Sequence, residues 1–261
     1  MPYVSFDGLV DRFSQQIYQT RKGRLRMQLI DALYHKHLPM EQLADFRVLD
    51  AAGGLGQMSH WFLGQGSKVS YFDIAEDMVI SVENQFAGAI AAGCLDVQQA
   101  SITEFQPQKP YDIVNVHAVL EWLEKPDDVI DQLASWVKPG GYLGLMVYNK
   151  HMLMLRHLMR GTLNRAMSGQ ISGDKKGLTP ISPLNPSDVI EQLIASGFQM
   201  ITQVAGRAGR AKQKGKVIIQ TWNPNSQIMR FALNHDFQSF YLLCKINEIF
   251  DFNQCYLFGK C

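Results

Sequence analysis

Two aspartates bracket a glycine-rich stretch near the front of this sequence. Residues 48–57 read VLDAAGGLGQ and residues 68–73 read KVSYFD. Glycines let a backbone approach a ligand closely and adopt positive φ. An acid ending the next strand, here Asp73, can accept both hydroxyls of a ribose. The pair therefore points to a nucleoside-containing ligand. Gly53, Gly54 and Gly56 do not give the G-x-G-x-x-G spacing of a dinucleotide site, and Asp50 would repel a pyrophosphate. The same acid suits a cationic ligand carrying an amino group. Both aspartates also fit the plainer role of helix or turn caps.

The elements that must position these residues alternate. Leucines at 25, 29, 33 and 38 predict an amphipathic helix over 23–38, stopped by Pro39. Residues 46–50 form a short buried-type strand that runs into the glycine turn. Met58, Trp61 and Phe62 then resume helical spacing until Gly64 and Gly66. Further strands are predicted at 68–72, 95–99, 111–116 and 142–147, with helices at 76–92 and 126–137. Pro139-Gly140-Gly141 predicts a tight turn before the last of these strands. This alternation implies an α/β fold: a mostly parallel, doubly wound sheet with helices on both faces. Residues 169–187 are rich in Gly, Pro and Ser and predict a surface loop, followed by a helix at 187–196.

Composition bounds the class. The chain has 261 residues, 46% hydrophobic and 19% charged, as expected of a globular protein with a full core. Residues 1–197 carry 17 Lys/Arg against 21 Asp/Glu, whereas residues 198–261 carry 8 against 3. The basic end hints at an anionic partner. Cys94, Cys244, Cys255 and Cys261 form no C-x-x-C pair, so no metal site is expected and free thiols are. With no apolar run near the roughly 18 residues of a membrane span and no secretory leader pattern, the expected location is cytoplasmic.

Longer stretches narrow the family. The strand-end acids and the PGG turn resemble those of class I S-adenosylmethionine-dependent methyltransferases with a Rossmann-like fold. FSQQIYQTRKGRLR at 13–26, VHAVLEWLEKPDDVI at 116–130 and MVYNKHMLMLRHLMRG at 146–161 follow in order. Over about residues 6–200 the chain resembles bacterial tRNA 5-carboxymethoxyuridine methyltransferases, which esterify a modified uridine at the wobble position. The resemblance implies S-adenosyl-L-methionine as cofactor. It places Arg26, Asp50, Ala52, Gly53, Asp73, Ser101 and His117 around it. A glycine is more usual at 52, and the alanine is tolerable there if its φ is negative. Leu55 stands where an acid is common.

The implied partner is a tRNA anticodon loop, met by Lys150, Arg156, Arg160, Lys175 and Lys176 on an insertion at 148–186, with Arg165 in the same run. A carboxylate acceptor has a pKa of about 4 and needs no general base. His117, Tyr148 and Asn149 are therefore expected to orient it. Arg26 also reads as a surface residue, His117 as a buried structural histidine, the basic run as a solvated face, and Glu121 and Trp122 as packing for their loop. Methylation of a small carboxylic acid or quinone is a rival function. An inactive nucleic-acid-binding remnant is another, and saturable cofactor binding separates it from the enzymes.

The resemblance stops near residue 200. Residues 202–241, opening TQVAGRAGRAKQKGKV, resemble the last helicase motif of the primosomal replication-restart helicases. No G-x-x-x-x-G-K-[ST] loop accompanies it, which excludes a helicase motor. The expected domains are thus a methyltransferase unit over 1–200 and an atypical basic tail over 201–261. Residues 198–204 and, in that tail, 216–222 could supply the missing terminal hairpin.

Overall fold

The computed structural model describes residues 20–168, 171, 173, 180–207 and 250–260. Helix α1 (Arg21–His37) opens under Thr20, whose side chain accepts the Gly23 amide at 3.0 Å. A 3-10 turn over Met40–Asp45 leads to β1 (Arg47–Ala51) and α2 (Gln57–Gly64). Then come β2 (Lys68–Asp73), α3 (Glu76–Gln85), α4 (Ala87–Ala91) and β3 (Leu95–Gln99). The expected helix over 76–92 is divided at Phe86, which turns inward with φ −113° and ψ 23°.

The second half repeats the rhythm with β4 (Tyr111–His117), a 3-10 turn over Leu120–Trp122, α5 (Pro126–Trp136) and β5 (Val137–Tyr148). The short helices α6 (Lys150–Met159) and α7 (Leu163–Ser168) follow, then α8 (Pro186–Ala195) and β6 (Phe198–Arg207). Strand β7 (Phe250–Lys260) completes the sheet. Pro139-Gly140-Gly141, expected as a turn, lies within β5 as an irregularity. There the register jumps from Tyr111↔Val137 to Ile113↔Tyr142. Gly140 takes φ +78°, and a Cβ on Gly141 would sit 2.7 Å from the Asp112 carbonyl oxygen.

The strand order is β3-β2-β1-β4-β5-β7-β6. The first five strands are parallel neighbours, and β7 is antiparallel to both β5 and β6. Because β1 sits between β2 and β4, the chain reverses its direction of winding there, and a crevice opens at the carboxyl ends of β1 and β4. One buried cluster, with Phe72, Phe105, Trp136 and Phe258, packs one face of the sheet. Another, with Tyr34, Phe62, Val82 and Leu257, packs the other.

The expected hairpin is changed in its composition. Strand β6 crosses residue 200, and its partner is β7, with Tyr256, Leu257 and Phe258 buried completely. Residues 216–222 lie outside the described residues. The Lys260 ammonium donates to the carbonyls of Ala134 and Val137, both at 2.8 Å, closing the C-terminal end of α5.

Candidate active site

The turn after β1 is shaped by what lies beneath it. A Cβ on Gly53 would stand 2.7 Å from Asp50 Oδ2 and 2.8 Å from Tyr71 Cδ2, so only glycine fits. The Gly53 amide donates to the Phe72 carbonyl at 3.1 Å, and the Tyr71 hydroxyl donates to the Gly54 carbonyl at 2.6 Å. Asp73 ties the turn to the next strand. Its Oδ2 accepts the Gly54 amide and its Oδ1 the Ala75 amide, both at 2.9 Å. Ser101 is buried beside it, on the segment whose Ala100 amide donates to the Asp73 carbonyl.

Ala52 departs from the condition set for it. Its φ is +50°, in the left-handed region, so the methyl is held at a strain of about 1 kcal/mol. Ala118, at the corresponding end of β4, has φ +58°. Two non-glycine residues in this conformation stand at the ends of adjacent strands, on the rim of the crevice.

Asp50 faces inward. Its Oδ2 accepts from the Ser59 amide at 2.9 Å and the Ser59 hydroxyl at 2.7 Å, and its Oδ1 from Asn115 Nδ2 at 3.1 Å. The Asn115 oxygen in turn accepts the Tyr34 hydroxyl at 2.8 Å. A Cβ at Gly144 would collide with that hydroxyl, so glycine on β5 admits the tyrosine. Burial raises the Asp50 pKa, while the Ser59 and Asn115 bonds oppose the rise. The chain of contacts ends at His117, whose Nε2 is 3.4 Å from the Tyr34 oxygen. Burial first, and the positive charge of Arg26 second, push His117 down to about 3, so its ring is neutral at pH 7.

Arg26 is half-buried on α1, and its field reaches both His117 and Glu121. Across the crevice, the Asn149 oxygen accepts the His151 amide at 2.8 Å and caps α6. That oxygen serves a helix, where an acceptor-orienting role was expected. Tyr148 is half-buried at the end of β5. Beyond it, Arg156, Arg160 and Arg165 all lower the pKa of His157, after burial, so these cations of α6 and α7 share one patch. Lys150 begins that run, and Lys175 and Lys176 lie outside the described residues. Among the described residues no cluster of three or more His, Cys, Asp or Glu side chains could hold a metal, and no helix is long and apolar enough to cross a membrane.

Tyr34, Ser59 and Asn115 were not anticipated. Asn115 carried a signal, an amide in the otherwise apolar strand core IVNV. Tyr34 and Ser59 carried none, since their partners lie far away in sequence.

The sheet order, the bare-backbone turn and the acid at the end of β2 define a class I methyltransferase, with S-adenosylmethionine as its methyl donor. The residues present fit that donor, because side chains are excluded from the turn at Gly53 and a carboxylate borders it at Asp73. A methyltransferase domain family model matches residues 49–143. The tRNA 5-carboxymethoxyuridine methyltransferase of Escherichia coli K12 is 31% identical over 208 residues, covering 78% of each chain. The chain belongs to this methyltransferase family.

The solved structure of magnesium protoporphyrin IX methyltransferase from Synechocystis PCC 6803, with bound SAH, shares the fold. It has a TM-score of 0.63 at 15% identity, covering 98% of this chain and 96% of that one. A short stretch matches the replication restart protein PriA of Bacillus subtilis, at 48% identity over 44 residues. That is 17% of this chain and 6% of that protein.

Proposed function

We propose that the protein transfers a methyl group from S-adenosylmethionine to the carboxylate of 5-carboxymethoxyuridine at the wobble position of tRNA, forming a methyl ester. The observation that carries this reading is the 31% identity across 78% of both chains with a relative so named. The arginine patch of α6 and α7 supports it, because that patch begins just past Tyr148, at the crevice. Loop nucleotides displayed to a protein are held by basic contacts to their backbone and by stacking.

The donor supplies an electrophilic methyl on a sulfonium. The acceptor carboxylate is ionised at neutral pH and forms the new O–C bond as the C–S bond breaks, so no proton moves. The remaining work is placement of the two ends in line within a partly dry pocket. Arg26, Ala52, Gly53, Asp73 and Ser101 hold the donor, and neutral His117 and Tyr148 face the acceptor. Asp50 acts through Ser59 and Asn115 by fixing the turn and β4, and Asn149 acts by starting α6. Charge is lost in the transfer, so a neutral histidine suits the site better than an imidazolium, which would hold back the ionised ground state.

The test is incubation with methyl-labelled S-adenosylmethionine and tRNA carrying unesterified 5-carboxymethoxyuridine. A base-labile labelled ester is the expected product. Saturable donor binding without that label would overturn the acceptor assignment, and absence of donor binding would overturn the enzyme.

A further inference from the structure

Glu121 is a buried acid that the scheme above does not use. It stands in the 3-10 turn Leu120–Trp122, just beyond β4, and is 1% exposed. Its place is fixed from several sides. Its carbonyl accepts the Ser182 amide at 2.9 Å, and its carboxyl takes backbone amides from its own residue and from Tyr148. Oxygen Oε2 nevertheless has no hydrogen-bond partner among the described residues. A buried carboxylate with an unmet oxygen is costly, and such a group keeps its proton instead. Burial raises its pKa to about 8, against the smaller opposing effects of its own amide, Arg26 and the Tyr148 amide.

The topology sets this oxygen apart from the glycine turn. The glycine turn and Asp73 belong to β1 and β2, on one side of β4. Glu121 is bonded to Tyr148 of β5, on the opposite side. The methyl donor belongs with the turn, and the acceptor with β5 and the basic helices after it.

We propose that Glu121 is a substrate-binding residue whose Oε2 hydroxyl donates a hydrogen bond to the carboxylate of the acceptor. This rests on the carboxylate acceptor proposed above. An O–H···O⁻ bond of this kind is short and strong, and it brings no positive charge to the nucleophile. The reacting carboxylate is therefore recognised without the ion pair that methyl transfer would have to break. The ester product is neutral and accepts such a bond more weakly, which favours its release.

Arg26 from α1 is the charged group whose field reaches Glu121, and the same field reaches His117 of β4. The β5 and residue-182 sides contribute the backbone amides of Tyr148 and Ser182. His117 is neutral throughout the working range, so it contributes no alkaline limb. Glu121 is protonated below about 8, and its donor is lost as pH rises through that value.

The experiment compares wild type, Glu121→Gln and Glu121→Leu in kcat/KM for the modified tRNA from pH 6 to 9.5, with SAH affinity measured alongside. Wild type should lose about tenfold per pH unit above its break. Glu121→Gln keeps a neutral donor and should lose the break while retaining much of the activity. Glu121→Leu should lose about 10- to 100-fold, chiefly in KM, with SAH affinity little changed. A break persisting in Glu121→Gln would overturn the proposal. So would SAH affinity falling tenfold in that variant, which would put Glu121 on the donor's amino group.

A reading free of tRNA separates this proposal from the function it rests on. In SAH-loaded protein, wild type should show the infrared carbonyl stretch of a protonated carboxyl that Glu121→Gln lacks, and acetate should shift it. Absence of that band, or no shift with acetate, overturns the proposal. Wild type that shows the shifting band but esterifies no tRNA overturns only the tRNA acceptor.

Discussion

The rim of the crevice and the antiparallel end of the sheet are built from opposite materials. At the rim, Asp50, Asn115 and Glu121 are buried polar groups, and Ala52 and Ala118 hold left-handed backbones. At the other end, Phe198, Tyr256 and Phe258 fill the interior and one lysine closes a helix. Strain and desolvated polar groups gather at the rim, and they persist because packing elsewhere outweighs them. Mutations in the two regions should therefore differ in kind as well as in size.

Phe258→Ala should cost about 3–5 kcal/mol in denaturant unfolding. In whatever fraction stays folded, SAH affinity should be unchanged. A fall in affinity beyond the loss of folded protein would break the comparison. Asp73→Asn should act the other way. An amide nitrogen cannot accept from Gly54 or Ala75, and donor affinity should fall by about 2–3 kcal/mol in a titration with SAH. The loss of stability should be smaller than for Phe258→Ala.

Glu121→Gln sharpens the comparison through pH. The folded acid has its pKa raised to about 8, from 4.5. Its contribution to stability is therefore full below the lower value and is lost as pH rises through the upper one. Over that window wild type should lose about 1.4 kcal/mol per pH unit relative to Glu121→Gln, measured by urea unfolding. Equal pH slopes for the two proteins would place Glu121 in solvent contact. The smallest effect is a gain. Ala52→Gly should stabilise the fold by about 1 kcal/mol by removing the positive-φ penalty, and thermal melts would show it.

The parallel half was legible because its signals are local. A strand followed by VLDAAGGLGQ declares its own turn, and acids at the start of α3 and α5 announce those helices. Asp50 shows the limit of that legibility. Its type and position at a strand end were plain, but its partners are Ser59, one helix onset away, and Asn115 on a neighbouring strand. Gly144 matters only because Tyr34 occupies the space its side chain would need.

Strand β7 was hidden for another reason. A strand covered on both faces shows no alternation, and three consecutive apolar residues at 256–258 are too short a run to declare it. The run KVIIQTW at 216–222 carries the expectation instead. The positive φ of Ala52 belongs to the folded turn, and residue types alone do not reveal it.

The place of β7 has a consequence for how the molecule is made. Ribosomal synthesis delivers β5 and β6 first, yet the strand that lies between them arrives only with residues 250–260. Until then the outer edge of β5, with its row of backbone amides and carbonyls, awaits a partner that must insert rather than append. Such late, non-local pairing is slow. A nascent chain thus passes through an interval in which its crevice residues have all emerged while one sheet edge stays open to any other extended strand.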